Sequence, residues 1–275
     1  MVINTNISAL NSQRQLNKTN NDLSTSMERL SSGLRVNSAK DDAAGLAISN
    51  RMTSQIRGMT VATRNANDGI SLAQTAEAAM GTMTETMQRM RDLAVQSAND
   101  AGVTAEDRSK LQEEFGQLNK ELSRIITNTE FNGKKIINGS LKTGLAVQVG
   151  ANTTSDNQIK ISIDNLSATI ATVTTTNLSG TASKAIAAIT ALDGAIKKID
   201  TSRAKLGAIQ NRFTTTIANL QSSIENQSAA RSRITDTDFA METANLSRNQ
   251  ILQQAGTAML AQANQSTQSV LKLLQ

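Results

Sequence analysis

Paired carboxylates occur at Asp41-Asp42, Glu113-Glu114 and Asp236/Asp238. Carboxylates that converge in a pocket can act as acid and base in glycoside hydrolysis, or can ligate a hard cation. Their positions point elsewhere. Asp41 and Asp238 stand where helices are expected to begin, and a negative charge there is favoured by the helix dipole. Adjacent helical residues such as Glu113 and Glu114 project in different directions, as surface charges do. No glycine pattern fits a phosphate-binding loop. The chain also has no His and no Cys. That removes imidazole acid–base chemistry, a Ser-His-Asp triad, thiolate metal sites and any disulfide framework. No catalytic, metal or cofactor site is expected, and the chain is not expected to be an enzyme.

The rest of the composition is equally selective. At a usual frequency of roughly 5%, a chain of this length would hold about 14 prolines; this one has none in 275 residues, and only four aromatics, Phe115, Phe131, Phe213 and Phe239. Apolar residues make up 38%, too few for one thick core. The formal charge is +5, but Lys and Arg are scattered among 23 acidic residues, with no basic cluster and almost no rings to stack on bases. Nucleic acid is therefore not an expected partner. No segment approaches the ~18–20 uninterrupted apolar residues of a membrane span. Nor does the N-terminus carry the basic and apolar regions of a secretory signal, so composition alone suggests a cytoplasmic protein.

An absence of proline permits long helices, because one interior proline costs about 3 kcal/mol. Heptads use that permission. From Met52 a line runs through Met59, Ala66, Ala73, Met80, Met87 and Ala94, joined at alternate positions by Ile56 and Ile70, although Thr63, Glu77 and Arg91 interrupt that second line. The phase survives Asn67-Asp68-Gly69, which predicts one helix over 43–99, roughly 85 Å long at 1.5 Å per residue. Ser38-Ala39-Lys40-Asp41 before it has the form of a capping box. Gly45, Gly58, Gly69 and Gly81 lie along it, which either close helix approach or local bending would explain.

A second rod follows Thr104-Ala105-Glu106-Asp107, another capping box, with Leu111, Phe115, Leu118, Leu122 and Ile125 on its apolar side. A third carries Leu192, Ile196, Ile199, Leu206, Phe213, Ile217, Leu220 and Ile224, interrupted by Arg203 and Gln210. Three such stripes are expected to pack on one another rather than line a ligand groove. Between rods two and three, Asn132-Gly133 and Asn138-Gly139 are turn dipeptides. Val147 and Val149 alternate, and Ile159, Ile161 and Ile163 alternate back, which predicts a β-hairpin. Residues 167–183 are Ser/Thr-rich and read as an exposed excursion, a place for surface variation or glycosylation.

At the ends, Leu16, Leu23 and Leu30 share a heptad line with Ala9, and Met27 and Leu34 share its partner line; Leu252, Met259, Val270 and Leu273 form a looser stripe. Between Phe239 and Gln275 the only charges are Glu242, Arg248 and Lys272, and Gln and Asn fill the opposite face. A solvated helix face is normally charged, whereas uncharged polar groups are buried at lower desolvation cost. These helices are expected to pack on each other and on further copies. The fold expected is mainly α, with long antiparallel helical rods in a coiled-coil-like bundle and a small β-hairpin region.

The stretch Ser31-Ser32-Gly33-Leu34-Arg35-Val36-Asn37-Ser38-Ala39-Lys40-Asp41-Asp42-Ala43-Ala44-Gly45-Leu46-Ala47-Ile48 resembles the N-terminal signature of bacterial flagellins. So do Arg91-Asp92-Leu93-Ala94-Val95-Gln96-Ser97-Ala98-Asn99, Glu130-Phe131-Asn132-Gly133, Gln250-Ile251-Leu252-Gln253-Gln254-Ala255-Gly256 and Leu260-Ala261-Gln262-Ala263-Asn264. The resemblance implies a hairpin-shaped subunit of a hollow extracellular filament. Its terminal helices (1–42 and 236–275) would be paired in an inner layer, with a rod domain (43–141 and 181–235) outside them and a short variable segment (142–180). It replaces the cytoplasmic expectation with export, uncleaved, through the flagellar type III apparatus. It implies an export chaperone on the C-terminal helix, filament cap and hook-junction proteins as partners, and a vertebrate Toll-like receptor contacting Arg89, Leu93 and Glu114. A hook–filament junction protein is the near alternative. An enzyme embedded in a filament is the distant one, disfavoured by the short middle segment and the missing His.

Overall fold

In a computed structural model the chain is described over residues 5–273, with side chains through residue 265. Six helices and four short strands follow one another: α1 Ile7–Ser32, α2 Ala43–Ser97, α3 Ala105–Asn128, β1 Glu130–Phe131, β2 Lys134–Lys135, β3 Leu145–Gln148, β4 Gln158–Ile161, α4 Leu166–Thr174, α5 Ala182–Thr235 and α6 Phe239–Leu273. The chain divides into two compact units, Met1–Ile56 with Glu225–Gln275, and Arg57–Ile224.

In the central unit, Arg57–Ile224, α2 passes unbroken through Asn67-Asp68-Gly69, as its heptads predict. Met59, Ala66, Ala73, Met80, Met87 and Ala94 are all buried. The second line, however, is displaced from the expected one. Ala62, Gly69, Ala76, Met83, Met90 and Ser97 are buried, three residues ahead of the first line. Thr63, Ile70, Glu77 and Arg91 flank the seam half-buried, and Ile56, in the terminal unit, is half-buried too. The polar interruptions are matched across helices: Gln210 Nε2 donates to Glu77 Oε2 at 2.8 Å, and Arg91 Nε donates to Asp193 Oδ1 at 2.7 Å. That contact with Asp193 raises the Arg91 pKa further above its ordinary value.

Phe115 and Leu122 of α3 and Leu192, Leu206 and Phe213 of α5 join this core, with Leu111, Leu118 and Ile196 half-buried against it. Met52 and Leu220 are also half-buried. The Thr104 box forms as read: Thr104 Oγ1 accepts from the Asp107 amide at 3.2 Å, and Asp107 takes the Thr104 hydroxyl at 2.7 Å. The Ser38–Asp41 box does not cap α2. Asp41 folds back to accept from the Ser38 and Asn37 amides at 2.8 and 3.1 Å, closing a separate turn. Asp42 caps the helix instead, accepting from the Gly45 amide at 2.7 Å.

The β1–β2 turn places Asn132 and Gly133 at φ 49° and 73°, the doubly positive backbone that a two-residue hairpin requires. In the larger hairpin Leu145 pairs with Ile161 and Val147 with Ile159, and both isoleucines are buried. Residues 167–183 depart from the expected exposed excursion. Most of the first half belongs to α4, capped by Asn165, with Leu166, Thr169, Ile170 and Val173 buried. Leu178 is buried as well. The spacing 166, 170, 173 is an apolar helical stripe that the surrounding Ser and Thr conceal.

Arg108 fastens the ends of these elements. Only 6% exposed, it donates from Nε to the Ser97 carbonyl at 2.9 Å and from Nη1 to the Gly180 carbonyl at 3.1 Å, and pairs with Asp100.

In the terminal unit α1 and α6 lie antiparallel. Asn6 Nδ2 donates to the Ala263 carbonyl at 2.8 Å, Gln253 Nε2 to Asn20 Oδ1 at 2.9 Å, and Arg29 sits 3.9 Å from Glu242. The partner number falls as the residue number rises. Near the middle of the pair a Cβ on Gly256 would come within 3.3 Å of Leu16. Gly33, at φ 70°, ends α1 by returning its amide to the Arg29 carbonyl. The chain then bridges to the α5–α6 link. Arg35 donates its amide to the Thr235 carbonyl at 2.6 Å, and Thr237 donates to the Gly33 carbonyl at 3.0 Å.

Candidate self-association surface

The carboxylate pairs resolve into local roles. Asp238 caps α6 through the Ala240 and Met241 amides at 2.9 and 3.2 Å. Asp236 takes the Ser232 hydroxyl at 2.6 Å and the Thr235 hydroxyl at 2.8 Å, bonds that hold its carboxyl below the usual range. Asp41 is lowered in the same way by the Ser38 amide and hydroxyl. Glu113 is exposed, and Glu114 pairs with Arg89. Among the described residues no group of three acidic side chains could hold a metal ion. No described helix is long and apolar enough to cross a membrane.

The distribution of apolar surface is the functional feature. Among the described residues thirteen large apolar side chains are exposed, and ten belong to the terminal unit: Ile7, Leu10, Met27, Leu34, Ile48, Phe239, Met241, Ile251, Leu252 and Met259. By contrast, Val36 is the one described apolar residue of that unit that is buried. Leu16, Leu23 and Leu30 are half-buried along the α1–α6 seam, and the seam's fully buried positions are polar: Thr19, Ser26 and Glu242. The side chains of Val270 and Leu273 lie outside the described residues. Two paired helices with their leucines half covered and their methionines and isoleucines in water do not form a finished core.

Of the other expected contact residues, Arg89 and Glu114 are exposed and joined, Nη2 to Oε1 at 2.7 Å and Nε to the same oxygen at 3.1 Å. Leu93 does not share that surface. It is 2% exposed and belongs to the α2 core beneath.

A mainly helical subunit with a finished central core and an unfinished terminal one belongs to the class of proteins that polymerise. Comparison with known proteins gives that class its family. Residues 3–142 match the bacterial flagellin N-terminal helical region and residues 189–274 the bacterial flagellin C-terminal helical region. A flagellin of Halalkalibacterium halodurans is 45% identical over 274 residues, covering all of both chains. A flagellar filament 33 kDa core protein of Treponema phagedenis is 46% identical over 288 residues, again covering all of both. Among solved structures, a putative flagellar hook-associated protein from Vibrio parahaemolyticus superposes with a TM-score of 0.59 at 13% identity. That likeness covers 71% of this chain and all of that one, and it speaks for the fold alone. The chain belongs to the bacterial flagellins. Its role is structural: it is a subunit of the flagellar filament, a polymer of many copies.

Proposed function

We propose that the α1–α6 pair is the surface through which subunits join, and that it forms the inner layer of the filament. The observation that carries this is the concentration of exposed apolar side chains on a unit with almost no apolar core of its own. Burying one such side chain on assembly contributes about 1.5–3 kcal/mol. Ile251 and Met241 are each 66% exposed, so Ile251→Glu and Met241→Glu should leave the thermal unfolding of the monomer unchanged. Each should prevent seeded growth of long tubes in negative-stain electron microscopy. Tubes of normal length from either variant would refute the assignment.

Secretion through the flagellar type III apparatus, assembly beneath a filament cap and attachment to hook-junction proteins fit the same reading. Before assembly, the apolar stripe of α6 is the natural hold for an export chaperone. The monomer's Arg89–Glu114 surface is proposed as the contact for the vertebrate Toll-like receptor. An exposed ion pair is worth only about 0–1 kcal/mol, so both side chains can turn to a partner at little cost. Arg89→Ala or Glu114→Ala should lower receptor activation by about tenfold, the scale of one interface residue worth roughly 1.4 kcal/mol, without changing monomer stability. Leu93→Ala should act through packing and lower the unfolding temperature as well. Unchanged activation in both surface variants would reject this contact.

A further inference from the structure

In the central unit the mid-chain segment and α5 line an open surface concavity of about 480 Å³. Three lysines line it: Lys142 after the small hairpin, and Lys197 and Lys198 on α5. None of the three makes an ion pair among the described residues. The one carboxylate in the wall, Asp164, is already engaged, taking Lys205 Nζ at 3.0 Å and the Ser202 hydroxyl at 3.3 Å. Lys205 holds that carboxyl below its usual range, and the charge of Lys142 acts in the same direction. The first turn of α4 also lines the wall, adding the positive end of a helix dipole. All three lysines are exposed, and with Asp164 held by Lys205 they leave the rim of the hollow with a net positive charge that attracts an anion.

The remaining lining narrows the ligand. Beside the lysines, Asn165 keeps its side-chain NH2 while its oxygen caps α4, and the Thr201 hydroxyl, donating to the Lys197 carbonyl, keeps its acceptor side; both suit sugar hydroxyls. No aromatic ring lines the hollow, so a nucleobase has nothing to stack on. We propose that the concavity formed by Lys142, Lys197, Lys198, Asn165 and Thr201 binds a sulfated or carboxylated sugar, the repeating unit of an acidic polysaccharide. One site holds one or two sugar residues weakly. Repetition of the site along a polymer multiplies the affinity for a polymeric ligand by roughly 10²–10⁴. This amplification rests on the filament reading, whereas binding by the monomer does not.

Heparin, inorganic sulfate, neutral dextran and single-stranded DNA are the probes, applied to the full-length monomer and to assembled tubes. Heparin should bind, sulfate should compete and dextran should not bind. The triple variant Lys142→Ala, Lys197→Ala, Lys198→Ala should lose about tenfold or more in monomer affinity, as expected from removing three nearby cations. Tubes confirmed by electron microscopy should bind heparin far more tightly than monomer does. A control triple with the same loss of charge, Lys120→Ala, Lys134→Ala, Lys184→Ala, should bind as the unaltered chain does. An equal loss in the control overturns the site in favour of diffuse charge. DNA binding as tight as heparin binding, and lost with the same lysines, overturns the sugar assignment. Tubes that fail to bind heparin overturn the display of the site on the filament.

Discussion

Deleting residues 1–35 or 240–275 should abolish tube formation and leave a protease-resistant block close to Arg57–Ile224. Either deletion removes one member of the antiparallel α1–α6 pair and with it the hydrogen bonds Asn6–Ala263 and Gln253–Asn20. The surviving helix then keeps half-buried leucines with no partner, and as an isolated segment it has little to hold it folded. Losing the burial of only three large apolar side chains removes about 4.5–9 kcal/mol, or roughly a 10³- to 10⁶-fold drop in association constant. The central unit should be untouched, because its buried side chains, from Met80 and Phe115 through Ile161 to Leu192 and Phe213, lie within Arg57–Ile224. Limited proteolysis and electron microscopy read the two halves separately. Normal tubes from either truncation would show that the terminal pair is not the joint; loss of the resistant block would show that the units are not independently folded.

Long helices were the most legible part of this chain, since heptads of Met and Ala repeat over many turns and no proline interrupts them. What periodicity misjudged was the partner line on α2. Ala62, Gly69, Ala76 and Ser97 are poor hydrophobes by type, so Met83 and Met90 alone mark the buried line by size, while Ile56 and Ile70 mark the one beside it. In the fold, small residues are what permit close approach of a neighbouring helix. Glu77 and Arg91 look like faults in a stripe only until Gln210 and Asp193 are seen opposite them. α4 was legible through Leu166, Ile170 and Val173, but a Ser/Thr-rich composition outweighed three apolar residues. Arg108 left no trace in sequence, because its partners are carbonyls of Ser97 and Gly180, and a carbonyl belongs to every residue. The unfinished terminal core was visible as an excess of Gln over charge on α6. Which apolar residues it leaves in water required the structure.

The largest change in monomer stability should come from Phe213, and its neighbour Gly69 makes the argument specific. Phe213 is wholly buried, and a Cβ built on Gly69 would stand 2.8 Å from its Cζ and 3.1 and 3.2 Å from Cε2 and Cε1. The ring therefore lies against the bare backbone of α2. Phe213→Ala should cost about 3–5 kcal/mol through lost burial and the cavity left behind. For a unit of this size that lowers the unfolding temperature by roughly 6–20 °C. Gly69→Ala in the unaltered chain sets two effects against each other. A methyl pressed into a ring that cannot swing away costs about 1–3 kcal/mol, while the better helix propensity of Ala returns up to about 1 kcal/mol. The net is a loss. Once the ring is gone the obstacle is gone with it, and only the gain in propensity remains. Gly69→Ala should therefore raise the unfolding temperature in a Phe213→Ala background, reversing the sign it has alone. Such a reversal is a direct measure of coupling between the two positions. If Gly69→Ala lowers the temperature equally in both backgrounds, the ring is not what requires glycine at this turn of the helix.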